Sequence, residues 1–258
     1  MSPSYECIIV EREGPFATIT MNRPGQRNAL SLAHLRELLD AFTTLATTDA
    51  RGVILAGNGP VFCAGHDFAD MVGADLNSMH VLLETCTDLM LVIQQVPQVV
   101  IARVHALATA AGCQLVASCD LAVAARSAGF AVPGGKGGWF CTTPMVAVGR
   151  NLGRKQAMEM ALTGDVIDAP TAERWGLINR AVDDDRLDDE VAELIARATR
   201  GSASSKAIGK RAFNTQIGMD QVQAYAYGIE VMASASQTPA AREGVDAFLS
   251  KRPAAWPD

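Results

Sequence analysis

The sequence predicts an α/β protein. Short apolar runs that read as buried strands alternate with segments whose apolar residues recur at helical spacing, and one pattern of strand, turn and small residues occurs twice. The chain has 258 residues, 49% of them hydrophobic, enough for one large core or a core with a helical appendage. Its centre is 98–120, QVVIARVHALATAAGCQLVASCD. Val99, Val100 and Ile101, continued by Ala102, Arg103 and Val104, read as a buried strand. It feeds a loop of very small residues, Ala106, Ala108, Thr109, Ala110, Ala111 and Gly112, and Cys113 to Ser118 suits one or two turns of buried helix. The first N–H groups of such a helix have no intrahelical acceptor and lie at the positive end of the peptide dipoles. That end attracts negative charge, including charge that develops only in a transition state. Small side chains let a ligand oxygen approach the amides; they equally allow close packing, and the residues alone leave both readings open.

In chain order, Cys7 to Val10 and Ala17 to Met21 flank Glu13-Gly14-Pro15 and read as a hairpin. Ser31 caps a helix whose apolar face is Leu32, Leu35, Leu38, Leu39 and Phe42. Val53 to Ala56 is a short buried strand, followed by the glycine-punctuated run Gly57 to Phe68. A helix from about Ser78 to Gln95 is stopped by Pro97. Beyond the centre, Lys155 to Ala161 and Asp168 to Trp175 are helices ended at Gly164 and Gly176, and Leu177 to Val182 returns as a strand. The acidic run Asp183 to Glu190 starts a solvated helix, and the rest is helical with breaks near Gly201, Gly218 and Pro239.

Composition excludes several function classes. A net charge of −6 without clustered Lys and Arg argues against nucleic acid as partner. The six cysteines are scattered without a C-x-x-C pair, as expected of reduced, buried thiols in a cytoplasmic protein. MSPSYECIIV has no basic region followed by a long apolar stretch, and no run of about 18 apolar residues occurs, so no membrane partner is expected. No metal cluster, phosphate loop or nucleophile–base pair stands out, and no metal is expected.

Asn22-Arg23-Pro24 with Arg27 to Leu30, Phe62 to Phe68, Ala111 to Leu115 and Cys119-Asp120 together resemble the crotonase superfamily, the enoyl-CoA hydratase/isomerase fold. Ala161 to Gly164, Trp175 to Ile178 and Ala247 to Arg252 match the same family in order and spacing. The resemblance implies a crotonase-like spiral of ββα units over 1–200. A C-terminal helical region, 201–258, would mediate a homotrimer or a dimer of trimers. It implies an acyl-CoA thioester as ligand, with coenzyme A part of the substrate and no other cofactor. By motif position, the backbone N–H groups of His66 and Ala111 would form an oxyanion hole for the thioester oxygen, each donor contributing roughly 2.7–4 kcal/mol when enolate charge develops. The His66 imidazole would contact ligand or merely fill its loop. Arg27, Ala29, Ala64, Gly65, His66, Asp67 and Phe68 match the coenzyme A surface, where the Arg27 guanidinium would meet phosphate or else be only a solvated loop charge. Phe248 and Lys251 match a last-helix position that reaches the nucleotide end of a ligand held by a neighbouring subunit, or else simply pack, with Phe248 in the core.

The chain also departs from the family. A Lys often follows the Ala-Gly-x-Asp motif, whereas Ala69-Asp70 stands here. The two glutamates that activate water in ordinary hydratases fall at Gln114 and Gly134, and neither residue can take a proton from water. The stretch Gly134 to Pro144 offers no acid for an isomerase, and Trp139 with Phe140 suggests an apolar wall beside the acyl group. With Gly65-His66-Asp67 and Phe140 to Pro144, the chain is most similar to the enoyl-CoA hydratase domain-containing protein 3 subgroup, which lacks the same pair. An enzyme, a non-catalytic acyl-CoA binding or delivery protein, and a structural partner subunit all remain open. If the protein turns over a thioester, a base is needed, and Glu84 is the candidate, with His80 and Asp88 on the same helical face; that face equally reads as a solvated stripe.

Overall fold

The computed structural model describes residues 5–257. β1 (Ile8–Glu13) and β2 (Phe16–Met21) form the expected hairpin, pairing Ile8 with Met21 and Glu13 with Phe16. The Ser31 hydroxyl accepts from the His34 N–H and starts α1 (Leu32–Ala46), which buries Leu35, Leu38, Ala41 and Phe42. β3 (Gly52–Gly57) follows, then α2 (Leu76–Gln95), β4 (Val99–Val104), β5 (Ala108–Thr109), α3 (Ala111–Ser118), β6 (Leu121–Ala125) and β7 (Gly129–Ala131). α4 (Pro144–Asn151), α5 (Arg154–Thr163), β8 (Ile167–Asp168), α6 (Ala169–Trp175) and β9 (Arg180–Val182) complete the spiral. Four helices end the chain: α7 (Leu187–Ala198), α8 (Ala203–Gln216), α9 (Gln221–Ala235) and α10 (Pro239–Leu249).

One six-stranded sheet runs β1-β2-β3-β4-β6-β9, parallel except for the β1–β2 hairpin. Its inner strands are buried on both faces, which is why Val53 to Ala56 and Val100 to Ala102 read as unbroken apolar runs. A second layer holds β5-β7-β8 and is prolonged by single bridges, Cys63 with Ala108 and Leu30 with His66. Successive turns of the chain thus add a segment to each layer, which is the geometry of a ββα spiral.

Two expected boundaries move, for local reasons. α2 starts at Leu76 because the Asp75 carboxylate accepts from the Ser78 N–H. β9 is confined to Arg180–Val182 because the Leu177 N–H donates to the Ala172 carbonyl, closing α6 over the left-handed Gly176. α2 is long and apolar enough to cross a membrane by length and composition, yet Leu82, Cys86, Leu89, Met90 and Ile93 are buried and it packs on α1, α3 and α8. All six cysteines are free thiols; burial pushes those of Cys63, Cys86 and Cys113 up to about 12, so they are inert near neutrality.

The helical end is tied to the sheet by charge. The Lys210 ammonium lies 2.7 Å from the Asp120 carboxylate and donates to the Gln98 carbonyl at 2.8 Å, and Asp120 also accepts from the Val100 N–H at 2.7 Å. Burial raises the Asp120 pKa and lowers that of Lys210, each opposed by its partner. Lys210→Met should therefore cost about 3–5 kcal/mol in denaturant unfolding, because it strands a buried carboxylate. His34 is fully buried, its Nδ1 3.1 Å from the Ala29 carbonyl, and burial lowers its pKa to about 4. The unfolded chain then binds the proton more readily, so stability present above about pH 6.5 falls by up to about 3 kcal/mol as pH drops toward 4. His34→Gln should flatten that slope in unfolding measured across the range.

Candidate functional site

The site is assembled by the segment 22–30. Its anchor is Asn28, fully buried in a left-handed conformation (φ 52°). The Asn28 amide nitrogen donates to the carbonyls of Asn58, Val61 and Phe62 at 2.8, 3.0 and 3.1 Å, and its oxygen accepts from the Arg23 N–H at 2.9 Å. Asn tolerates this backbone better than most residues and uses its amide in place of missing backbone partners. The Arg23 guanidinium donates to the Ala29 carbonyl at 2.7 Å and pairs with Asp67 at 3.2 Å. Neither Asn28 nor Arg23 is a site candidate in the sequence. Both fall within Asn22-Arg23-Pro24 and Arg27 to Leu30, motifs that carry the family resemblance but do not by themselves reveal the clamp.

This clamp presents Leu30 to the next turn of the chain. The Leu30 N–H donates to the Gly65 carbonyl at 2.7 Å, and the Asp67 N–H donates back to the Leu30 carbonyl at 3.1 Å. In such a parallel bridge the residue between, His66, turns its own N–H and C=O to the opposite side. The following turn is laid against it: the Thr109 N–H donates to the Cys63 carbonyl at 3.0 Å, and the Ala110 N–H donates to the Ala131 carbonyl at 2.9 Å. Ala110 holds φ 52° and ψ −120°, a conformation that favours glycine, and it places Ala111 at the first position of α3. Among the described residues neither the His66 N–H nor the Ala111 N–H has an intramolecular acceptor.

Glycine makes the two loops adjoin. A methyl group on Gly65 would sit 3.3 Å from the Ala111 nitrogen and 2.8 Å from the Ala110 Cβ, and one on Gly112 would sit 2.3 Å from the Cys63 carbonyl oxygen. Both positions require backbone-to-backbone contact. Beside the free amides lie Gln114, which is buried, and the partly buried His66, whose ring nitrogens are shielded. Both His66 ring nitrogens and the Gln114 Oε1 lack hydrogen-bond partners. Burial lowers the His66 pKa; the nearby Leu30 carbonyl acts against this but falls outside hydrogen-bond geometry. The imidazole is therefore neutral at physiological pH. Gln114 is only 4% exposed.

The loop around Gly134 leaves no room for a side chain. A Cβ there would lie 2.1 Å from the Trp139 carbonyl oxygen and 2.7 Å from Cys141 Sγ. The Trp139 N–H donates to the Gly134 carbonyl at 2.9 Å, and the Gly134 N–H donates to Cys141 Sγ at 3.3 Å, so the loop closes over the space a side chain would take. Trp139 and Phe140 are exposed at the outside of that loop.

Residues 11–258 match the enoyl-CoA hydratase/isomerase family model. The chain belongs to the enoyl-CoA hydratase/isomerase family. It is 40% identical over 240 residues to rat enoyl-CoA hydratase domain-containing protein 3, mitochondrial, covering 92% of this chain and 80% of that protein. The crystal structure of human enoyl-CoA hydratase domain-containing protein 3 superposes with a TM-score of 0.93 at 36% identity, over 97% of this chain and 100% of the other. An enoyl-CoA hydratase structure from Mycobacterium smegmatis gives a TM-score of 0.94 at 46% identity, over 97% and 99%. The crotonase fold and the resemblance to the protein 3 subgroup both stand. The cytoplasmic expectation does not: the rat, zebrafish, mouse and human relatives are named mitochondrial. Buried reduced thiols, on which that expectation rested, do not distinguish one reducing compartment from another.

Within this family frame, Arg27, Ala29, Ala64, Gly65, His66 and Asp67 are brought together around the clamp, with the Ala64 N–H donating to the Arg27 carbonyl at 3.1 Å. Arg27 and Phe68 are exposed, Phe68 in a single turn capped by the Asp67 carboxylate. Glu84 as base is corrected: its side chain is 74% exposed and pairs with exposed His80. It lies midway between buried Leu82 and Cys86, on the opposite side of α2, where nothing desolvates it. Phe248 is 82% exposed rather than in the core, and in the single chain α10 packs on α8 rather than on the His66 and Ala111 loops. Lys251, just beyond α10, is exposed too. Among the described residues no group of three or more His, Cys, Asp or Glu side chains is placed to hold a metal ion.

The strained Ala110 should be relieved by Ala110→Gly, raising the unfolding free energy by about 1 kcal/mol. Gly134→Glu should instead lower it by about 1–3 kcal/mol through overpacking, both read by urea titration.

Proposed function

We propose that this protein binds acyl-CoA thioesters, with the thioester oxygen held by the His66 and Ala111 N–H groups. The observation that carries this reading is the pair of amides left without acceptors on two loops in backbone contact. Fixed donors of this kind stabilise enolate charge on the oxygen without reorganising, because hydrogen bonds between chain segments already hold them in place. The Arg27 guanidinium, exposed at the edge of the same loop system, supplies charge for a coenzyme A phosphate. Trp139 and Phe140 supply apolar surface for the acyl chain. A homotrimer or dimer of trimers is part of the proposal: Val222, Tyr225, Ile229 and Met232 form an exposed apolar stripe along α9, which has no buried residue of its own. In such an assembly Phe248 and Lys251 would meet a neighbour's ligand.

Ordinary hydration of enoyl thioesters is not part of the proposed activity. It needs a group that accepts a proton from water and one that delivers a proton to carbon. Gln114 offers an amide, and position 134 offers backbone and a thiol. A second reading, a non-catalytic acyl-CoA binding or delivery protein, is favoured by that closed loop, which removes the space for a second acid rather than merely its side chain.

Calorimetric and thermal-shift titration with butanoyl-CoA and crotonyl-CoA tests binding: saturation near or below micromolar ligand and a raised Tm are expected, and no shift at millimolar ligand would remove the proposal. Crotonyl-CoA hydration should be very slow. Gln114→Glu alone should raise it toward the roughly 10²-fold that one acid–base group contributes, while adding Gly134→Glu should give no further gain. Hydration by the unaltered protein at rates typical of hydratases would show that another residue supplies the chemistry.

A further inference from the structure

We infer that Arg23 is a positioning residue for charge at the His66 and Ala111 amides: by pairing with Asp67 it cancels the carboxylate next to His66 in the chain, and so lets the site hold a thioester as its enolate. The inference rests on the acyl-CoA reading and deepens it by naming what governs the negative charge the site can bear.

Asp67 follows His66 directly and is tied down at three points. Its N–H donates to the Leu30 carbonyl at 3.1 Å, its Oδ1 accepts from the Ala69 N–H at 3.1 Å and starts the turn that carries Phe68, and its Oδ2 lies 3.2 Å from Arg23 Nη1. The Asp67 side chain is only 18% exposed and that of Arg23 21%, so water screens neither charge fully. The same Nη1 donates to the Ala29 carbonyl at 2.7 Å and to Ser31 Oγ at 3.2 Å, contacts that hold the guanidinium against the loop.

Electrostatics gives the pair its role. One residue advances the backbone by at most about 3.6 Å, so an oxyanion on the His66 N–H lies within about 10 Å of the Asp67 carboxylate. In a half-buried setting two like charges at that range repel severalfold more strongly than in bulk water. The carboxylate serves as acceptor for the Ala69 N–H, yet alone it would oppose negative charge on the ligand. Arg23 removes that opposition. A neutral thioester carries no such charge and is indifferent to the pair, so the effect is confined to the enolate.

Acetoacetyl-CoA is the probe, because loss of a C2 proton to the buffer leaves an enolate that absorbs in the ultraviolet and spreads its charge onto the thioester oxygen. The ratio of enolate to ketone is read at one pH in the saturated complex of the full chain, with butanoyl-CoA affinity measured by calorimetry beside it. Arg23→Met should lower the ratio by about tenfold or more and change butanoyl-CoA affinity by less than about threefold. Asp67→Asn, which keeps an acceptor for the Ala69 N–H, should leave the ratio unchanged or raise it. Arg23→Met together with Asp67→Asn should return it to within about threefold of the unaltered protein. Only charge predicts that rescue, since a scaffold that has lost both partners is no better than one that has lost a single partner. A double variant as low as Arg23→Met, an unchanged ratio in Arg23→Met, or a loss of butanoyl-CoA affinity as large as the fall in the ratio would overturn the inference. An unaltered protein that binds butanoyl-CoA but holds acetoacetyl-CoA wholly as the ketone would also overturn it; the acyl-CoA reading stands in each case. If Arg23→Met does not fold, Asp67→Asn decides, and a fall in its ratio overturns the inference. Failure of both esters to bind would overturn the acyl-CoA reading as well.

Discussion

The backbone hydrogen bonds between successive turns of the spiral are what the rest of the site depends on. Leu30 with Gly65 and Asp67 orients His66, and Cys63 with Leu107 and Thr109 orients the approach to α3. No side chain in these loops could create the two free N–H groups; they exist because neighbouring amides are used up pairing the layers. The small residues serve this arrangement. Gly65 and Gly112 let the turns touch, and Ala110 accepts an unfavourable conformation because Thr109 and Ala110 are held by hydrogen bonds to Cys63, Ala131 and Gln114. The clamp of Asn28 and Arg23 then fixes the first turn against the second.

Polar groups in this protein fall into two sorts. Asp120 and Lys210 satisfy each other and the backbone of β4, and so join the C-terminal helices to the sheet. Asn28 spends its amide nitrogen on loop carbonyls and its amide oxygen on the Arg23 N–H. These groups stabilise a single geometry. His66 and Gln114, by contrast, carry buried polar atoms without partners next to the free amides, as His34, Gln98 and His105 do elsewhere in the fold. The same contrast separates Gln114 from position 134. Gln114 keeps a polar side chain on the helix, whereas Gly134 is enclosed by the Trp139 carbonyl and Cys141 Sγ.

Local sequence suffices for most of the fold and for the two loops. Apolar runs at strand length, the Ser31 cap, the glycines at 164 and 176 and the family motifs are all legible, because each reports a local backbone requirement or an order of elements along the chain. That Gln114 and Gly134 carry no carboxylate is legible for the same reason, since it is a matter of residue identity. The strands β5, β7 and β8, two or three residues long, are not, because periodicity needs more residues than they have. Packing alone settles whatever depends on the far side of a residue. Glu84 and His80 share a helical face in any reading, but whether solvent or the acyl pocket lies beside that face is set by α2 packing its other side on α1 and α3. Gly134 is visible in the sequence as a missing side chain, and the loop that fills its place is not. Partner atoms distant in sequence also explain why the His66 nitrogens and the Gln114 oxygen are invisible there as orphans: an unsatisfied group is defined by every neighbour that fails to reach it, and those neighbours are brought together only by folding.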